Sequence, residues 1–232
     1  LEPQIISFGI ILIIFIILVT GAARIVKGFD IKKILFFFGT ELKQNSQNHT
    51  NILLLGTGGG IHEGADLTDT IMIANIEQET GKVSLLSLPR DLFVENEKLG
   101  GMRINNIYFA AKKELKSSEL SLQILQEQIE EVLGMNIQYY AKIDFSGFEK
   151  LIDQIGGIDL YIPETIHDPL YPKGESGFYE TFFIAEGYQH LDGKTALKYA
   201  RSRHTSSDFS RSERQQAILF AIKEKMQDSD EL

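Results

Sequence analysis

The sequence predicts an α/β protein: a single α/β/α-type domain with a central mixed sheet, preceded by one transmembrane helix. Three observations carry this expectation. An uncharged apolar run fills 5–23, and from Asn51 onward short apolar runs bounded by Gly or Pro alternate with stretches of helical periodicity. The 232 residues suffice for one well-packed domain and an appendage, but not for two ordinary domains.

The run IISFGIILIIFIILVTGAA holds nineteen residues without a charge. At a helical rise of 1.5 Å it reaches roughly 28 Å, close to the hydrocarbon thickness of a bilayer. Isoleucine disfavours helix in water, but in lipid the backbone must satisfy its own hydrogen bonds, which favours helix. No A-x-A pattern marks a cleavage site, so residues 1–23 are expected to remain as an anchor. Arg24, Lys27, Lys32 and Lys33 follow the span, and taken alone would leave that side in the cytoplasm. The chain begins at Leu1 rather than Met, so the other flank is expected to be missing and the charge comparison one-sided. Residues 24–50, basic, then apolar at ILFFF, then polar, read as a stalk or linker, and 51–232 as the domain.

Within the domain, NILLLG (51–56) reads as a buried strand stopped by glycine. DTIMIANI (69–76) and KVSLLSL (82–88) are two more, joined hairpin-fashion by QETG. Helical spacing takes over in 104–115 and 119–133, where Leu122, Leu125, Ile129 and Val132 are expected to share a face ahead of Gly134. IQYYAKI (137–143) and IDLYI (158–162) read as strands flanking a helix over 146–157, and the Pro-, Gly- and Tyr-rich 163–181 as a loop. LDGKTALKYAR (191–201) reads as a helix capped by Asp192, and 211–226 as the last helix.

Composition excludes several classes of function. Without cysteine there are no disulfides, thiolate metal sites or cysteine nucleophiles. A net charge of −9 argues against a nucleic-acid binder, so any anion site must be a local basic cluster. GTGGG (56–60) lacks the G-K-[ST] of a P-loop, and Ile61 stands at the third glycine position of a dinucleotide fingerprint. His62, His167, His190 and His204 show no metal-ligand spacing, and no G-x-S-x-G elbow is present.

What remains is arginine. KYARSRHTSSDFSRSERQQ (198–216) holds four of the seven arginines: Arg201, Arg203, Arg211 and Arg214. Arg201 and Arg203 flank a helix end; Arg211 and Gln215, four apart, share a face from which Arg214 is displaced. Guanidinium forks bind phosphate oxygens bidentately, so several aimed at one point make a pyrophosphate clamp. The competing reading is a solvated helix surface paired with Asp208 and Glu213. SLPRD (87–91) brings Arg90 and Asp91 to the carboxyl end of a strand, where open α/β sheets place ligands, or simply opens a loop with a charged pair. Asp66 and Asp69, with Thr68 and Thr70 nearby, offer oxygen ligands to Mg2+; the alternative is a turn cap and a solvated carboxylate.

In order, NILLLG, TDTIMI, VSLLSLPRD, RINNIYFAAK, DFSGFEKLIDQIGGIDLYIPE, LDGKTALKYARSRH and DFSRSERQQ resemble the LytR-CpsA-Psr family, the cell envelope-related transcriptional attenuator domain. The resemblance covers Asn51 to about Met226. It implies a single-pass protein of the cell membrane with an extracytoplasmic catalytic domain. That domain would transfer a glycan with its proximal phosphate from a polyprenyl-pyrophosphate carrier to peptidoglycan or another wall acceptor. It also implies that Arg90, Arg201, Arg203, Arg211 and Gln215 contact the pyrophosphate and that Asp69 is associated with Mg2+. Part of the family's C-terminal region is expected to lie beyond Leu232. One departure stands out: the family's loop pattern G-x-D-x-R is here GTGGG, so Gly58 replaces an acidic ligand. Asp66 is the expected substitute, with His62 or Glu63 assisting.

The expected chemistry is phosphoryl transfer: Arg90, Arg201, Arg203 and Arg211 neutralise the pyrophosphate, Mg2+ at Asp69 assists, and Asp91 is the candidate base for the acceptor hydroxyl. Helices 104–115 and 119–133 and the aromatic 178–184 are expected to line a prenyl tunnel, unless they are ordinary core. The missing loop aspartate favours an alternative, a non-catalytic regulator that binds pyrophosphate lipids. A prenyl-pyrophosphate hydrolase would use the same site with water as acceptor.

Overall fold

The computed structural model describes residues 42–62, 64–173, 178–202 and 208–228. The expected membrane span, residues 24–41 of the stalk, and Glu63, Arg203 and His204 lie outside the described residues. Among the described residues no helix is long and apolar enough to cross a membrane. By their contacts the residues group into two compact units, which divide between Phe145 and Ser146.

The first unit carries a four-stranded mixed sheet in the order β3-β2-β1-β6. β1 (His49–Thr57) pairs antiparallel with β2 (Thr68–Glu77) and parallel with β6 (Tyr139–Asp144), and β2 pairs antiparallel with β3 (Val83–Ser87). A short hairpin of β4 (Phe93–Asn96) and β5 (Gly100–Arg103) leads into α1 (Ile104–Leu115), followed by α2 (Ser118–Leu133). Strand alternation sends Leu53, Leu55, Ile71 and Ile73 to one face, where they join Ile104, Ile107, Tyr108 and Ala111 of α1 and Leu122, Leu125 and Ile129 of α2 in one core. Ser117 caps α2 by accepting from the Leu120 amide, and Gly134 closes it in the left-handed conformation. Ile124 is buried on α2, whereas Val132, expected on the buried face, is 40% exposed in the last turn.

In the second unit β7 (Ile158–Ile162) pairs antiparallel with β10 (Gly187–Leu191), and β8 (Ile166–Pro172) with β9 (Tyr179–Ile184). Three helices accompany them: α3 (Phe145–Gln154), α4 (Gly193–Arg201) and α5 (Asp208–Asp228). Ile158, Leu160 and Ile162 alternate inward and pack with Ile152, Tyr171, Phe182, Ala196, Tyr199 and Ile218. Asp192 caps α4 as expected, accepting from the Thr195 amide at 2.7 Å.

The mixed sheet and its element order match the expectation, with β1 starting two residues early. The expected loop over 163–181 is corrected: most of it is the β8–β9 hairpin. Pro169 and Pro172 hid the period of two, and both are tolerated because the pairing shifts register between Asp168 and Tyr171 and ends at Pro172. The β4–β5 hairpin also went unread, its four-residue strands being too short to show alternation.

Candidate functional site

Antiparallel and parallel pairing together decide what meets at one edge of the first sheet. Thr57 faces Thr68 on one side and Asp144 on the other, so the ends of β1 and β6 and the start of β2 lie together. β3 runs antiparallel to β2 with Ser87 opposite Met72, so SLPRD emerges at that same edge. Asp69, Arg90 and Asp91, three of the sequence-selected residues, become one constellation there. Arg90 Nη1 donates to Asp69 Oδ1 at 2.5 Å, Arg90 Nε lies 3.5 Å from Asp91 Oδ2, and Arg103 Nη1 donates to Asp91 Oδ1 at 3.0 Å. Arg90 is held between two carboxylates with its side chain 19% exposed, a fixed guanidinium rather than a loop charge. Asp91 is gripped by Arg103 and Arg90, which lets it orient Arg90, and its side chain stays 43% exposed.

Asp66 joins neither Arg90 nor Asp69 in these contacts. Both its oxygens accept from Lys112 Nζ of α1, at 2.7 and 2.8 Å, and this hydrogen bond raises the Lys112 ammonium above its usual range. The loop before it closes on itself: Gly59 N donates to Ala65 O, Ala65 N to His62 O and Leu67 N to Gly64 O. A Cβ on Gly58 would lie 3.3 Å from His62 Cε1, so the imidazole sits where an acidic side chain at 58 would begin. Gly59, at φ +72°, packs its backbone against Asp144, leaving no room for a side chain. Among the described residues no three His, Asp or Glu side chains are grouped to hold a metal. Mg2+ does not need such a cage, since it keeps several waters and takes one or two carboxylates plus substrate phosphates. Asp69 gives one oxygen to Arg90, whereas Asp66 gives both to Lys112.

In the second unit Arg201 ends α4, where its Nη1 donates to the Tyr171 hydroxyl at 3.1 Å and its guanidinium carbon lies 5.5 Å from the Tyr171 ring centre. The turn that follows is pinned at Ser202: its N–H donates to Lys198 O, its hydroxyl donates to buried Asp168 at 2.7 Å, and its carbonyl accepts from Arg214 Nη2. Arg214 Nε also donates to Tyr199 O at 3.0 Å, and burial lowers the Arg214 pKa. Arg214, 7% exposed, therefore caps the C-terminus of α4 from within α5. Arg211 is equally buried, and Gln215 Nε2 reaches Ala200 O at 3.5 Å. Arg211 and Arg214 are therefore not a solvated surface. Sequence reasoning missed Tyr171 and Lys112: one lies in the segment read as loop, and the other looks like a surface lysine in AAKKEL.

A family model described as the LytR_cpsA_psr family matches residues 26–232. The probable cell wall biosynthesis protein LcpB of Corynebacterium glutamicum is 32% identical over 185 residues, 79% of this chain and 39% of LcpB. The chain thus spans well under half the length of that relative. Among solved structures, TagV of B. subtilis superposes with a TM-score of 0.60 at 26% identity, covering 78% of this chain and 66% of TagV. TagT, a LytR-CPS2A-psr family protein with bound octaprenyl pyrophosphate lipid, has the same fold, with a TM-score of 0.57 at 20% identity over 81% of this chain and 69% of TagT. With the motifs in order, the fold shared and the match running over most of its length, the chain belongs to the LytR-CpsA-Psr family.

Proposed function

We propose that this protein is a membrane-anchored, extracytoplasmic transferase of cell-wall biogenesis. It moves a glycan with its proximal phosphate from a polyprenyl-pyrophosphate carrier to a wall acceptor such as peptidoglycan. The observation that carries the reading is the Asp69–Arg90–Asp91 constellation at the strand-end edge of the sheet, a preorganised guanidinium beside a carboxylate suited to Mg2+. The relative TagT, which binds octaprenyl pyrophosphate, supports the ligand class, and the uncharged run 5–23 supports the anchor.

The acceptor hydroxyl oxygen attacks the glycan-linked phosphorus, the phosphoanhydride P–O bond breaks, and polyprenyl phosphate leaves with the bonding electrons. The hydroxyl proton passes to a base. The family resemblance gives Arg90, Arg201, Arg203 and Arg211 the role of stabilising charge on the phosphate oxygens. Mg2+ held by Asp69 would neutralise part of the same charge. Gln215 offers an amide to a phosphate oxygen. Asp91 keeps Arg90 aimed.

The non-catalytic alternative, a regulator that holds pyrophosphate lipids, is favoured by Gly58 under the His62 ring and by Asp66 being tied to Lys112. Release of polyprenyl phosphate from a polyprenyl-pyrophosphate glycan, assayed with and without acceptor, separates the readings. Acceptor-dependent release supports transfer, acceptor-independent release means hydrolysis, and binding without release leaves the regulator.

A further inference from the structure

We infer that Tyr171 is a positioning residue that aims the Arg201 guanidinium at the pyrophosphate; this rests on Arg201 being a pyrophosphate ligand, as proposed above. Tyr171 lies on β8, is 3% exposed, and packs on Phe182 with ring centres 5.9 Å apart. The core of the second unit needs the ring but has no use for the hydroxyl, which must find a polar partner when buried. That partner is Arg201, donating Nη1–H to the phenol oxygen at 3.1 Å while its guanidinium carbon sits 5.5 Å from the ring centre. Two contacts from one rigid side chain fix both the position and the plane of the fork.

The chemistry of the partner matters. A phenol oxygen orients the guanidinium by a hydrogen bond without bringing a negative charge of its own. Burial raises the Tyr171 pKa, so the phenol stays neutral. Glu180, cross-strand from Tyr171, binds Lys198 Nζ at 2.7 Å. Lys198 itself stands 5.6 Å from the Tyr171 ring centre, so the ring carries two cations of α4, one turn apart. Since Tyr171 accepts from Arg201, its own hydrogen points away from the guanidinium.

The test is a double-mutant cycle on the full chain in detergent, reading octaprenyl pyrophosphate affinity for wild type, Tyr171→Phe, Arg201→Ala and the double variant. Tyr171→Phe keeps the ring and is expected to weaken binding about fivefold, the size of one hydrogen bond. Arg201→Ala is expected to weaken it at least tenfold, and the double variant to bind no worse than Arg201→Ala alone. Full additivity, or no effect of Tyr171→Phe where Arg201→Ala has one, would overturn the positioning role while leaving the clamp intact. No effect of Arg201→Ala would overturn the pyrophosphate reading itself. A measurement on unsubstituted protein covers a Tyr171→Phe chain that fails to fold. Hindered guanidinium rotation should give separate Arg201 Nη signals in a 15N-labelled sample, assigned by their loss in Arg201→Lys. A single averaged signal would refute the proposal.

Discussion

Asp66 and Asp69 stand three residues apart and read alike in sequence, yet they take different partners. Asp66 spends both oxygens on Lys112, while Asp69 accepts from Arg90. Neither partner is visible from spacing, because Lys112 lies 46 residues away and Arg90 lies 21 away. Asp66→Ala is therefore expected to cost about 1 kcal/mol or less, as for a partly exposed ion pair, and, on the proposed Mg2+-assisted transfer, to leave its Mg2+ dependence unchanged. Asp69→Ala should abolish that dependence. Loss of Mg2+ dependence in Asp66→Ala would restore it as a ligand. Arg214 teaches the same lesson from the other side. Residue type and spacing suggest a phosphate ligand as readily for Arg214 as for Arg211, but its hydrogens go to Tyr199 O and Ser202 O. Arg214→Ala should destabilise the fold by about 2–4 kcal/mol, the cost of two buried carbonyls left unpaired, as read by chemical denaturation. Retention of full stability would return Arg214 to the candidate ligands.

Uninterrupted apolar runs and helical stretches of several turns were legible, β1 and β2 by the first and α1, α2 and α4 by the second. The β8–β9 hairpin was not, since prolines in its first strand break the pattern that pairing with β9 restores. The cap on α4 was legible and makes a pH prediction. Asp192 accepts from Thr195, which lowers its pKa below the ordinary carboxylate value. A depressed folded-state pKa contributes stability that is fully present above the unfolded value of about 4 and is lost as pH falls through the folded one. Asp192→Asn caps a helix about as well, so the two proteins should be similarly stable at pH 7. Below about pH 4 the wild type should lose stability faster on titration, measured by melts across pH 2–7. Parallel curves for the two proteins would show that the cap charge is immaterial.

Length predicted one domain, and the mixed α/β class follows from the element order. The division into two compact units could not be read, because it falls between Phe145 and Ser146, inside the first turn of α3, with no linker to betray it. Charge bears on the molecule as a whole. At −9 the protein repels anions at long range, so on the proposed function capture of a pyrophosphate would depend on arginines acting locally. Screening then has two opposed effects: added salt relaxes the general repulsion and weakens the guanidinium contacts. The contacts lie well within a Debye length of about 10 Å at 0.1 M salt, whereas the net charge acts from beyond it. Modest salt should therefore favour encounter, and only high salt should weaken the complex. Ligand present at about 100 times its Kd stabilises a folded chain by roughly 2.7 kcal/mol, a rise in Tm of roughly 5–10 °C for a protein of this size. Octaprenyl pyrophosphate is expected to give that rise at about 0.1 M salt and a clearly smaller one at 1 M. A shift that is the same at both salts would mean that the prenyl chain alone supplies the affinity and the arginines do not grip the phosphates.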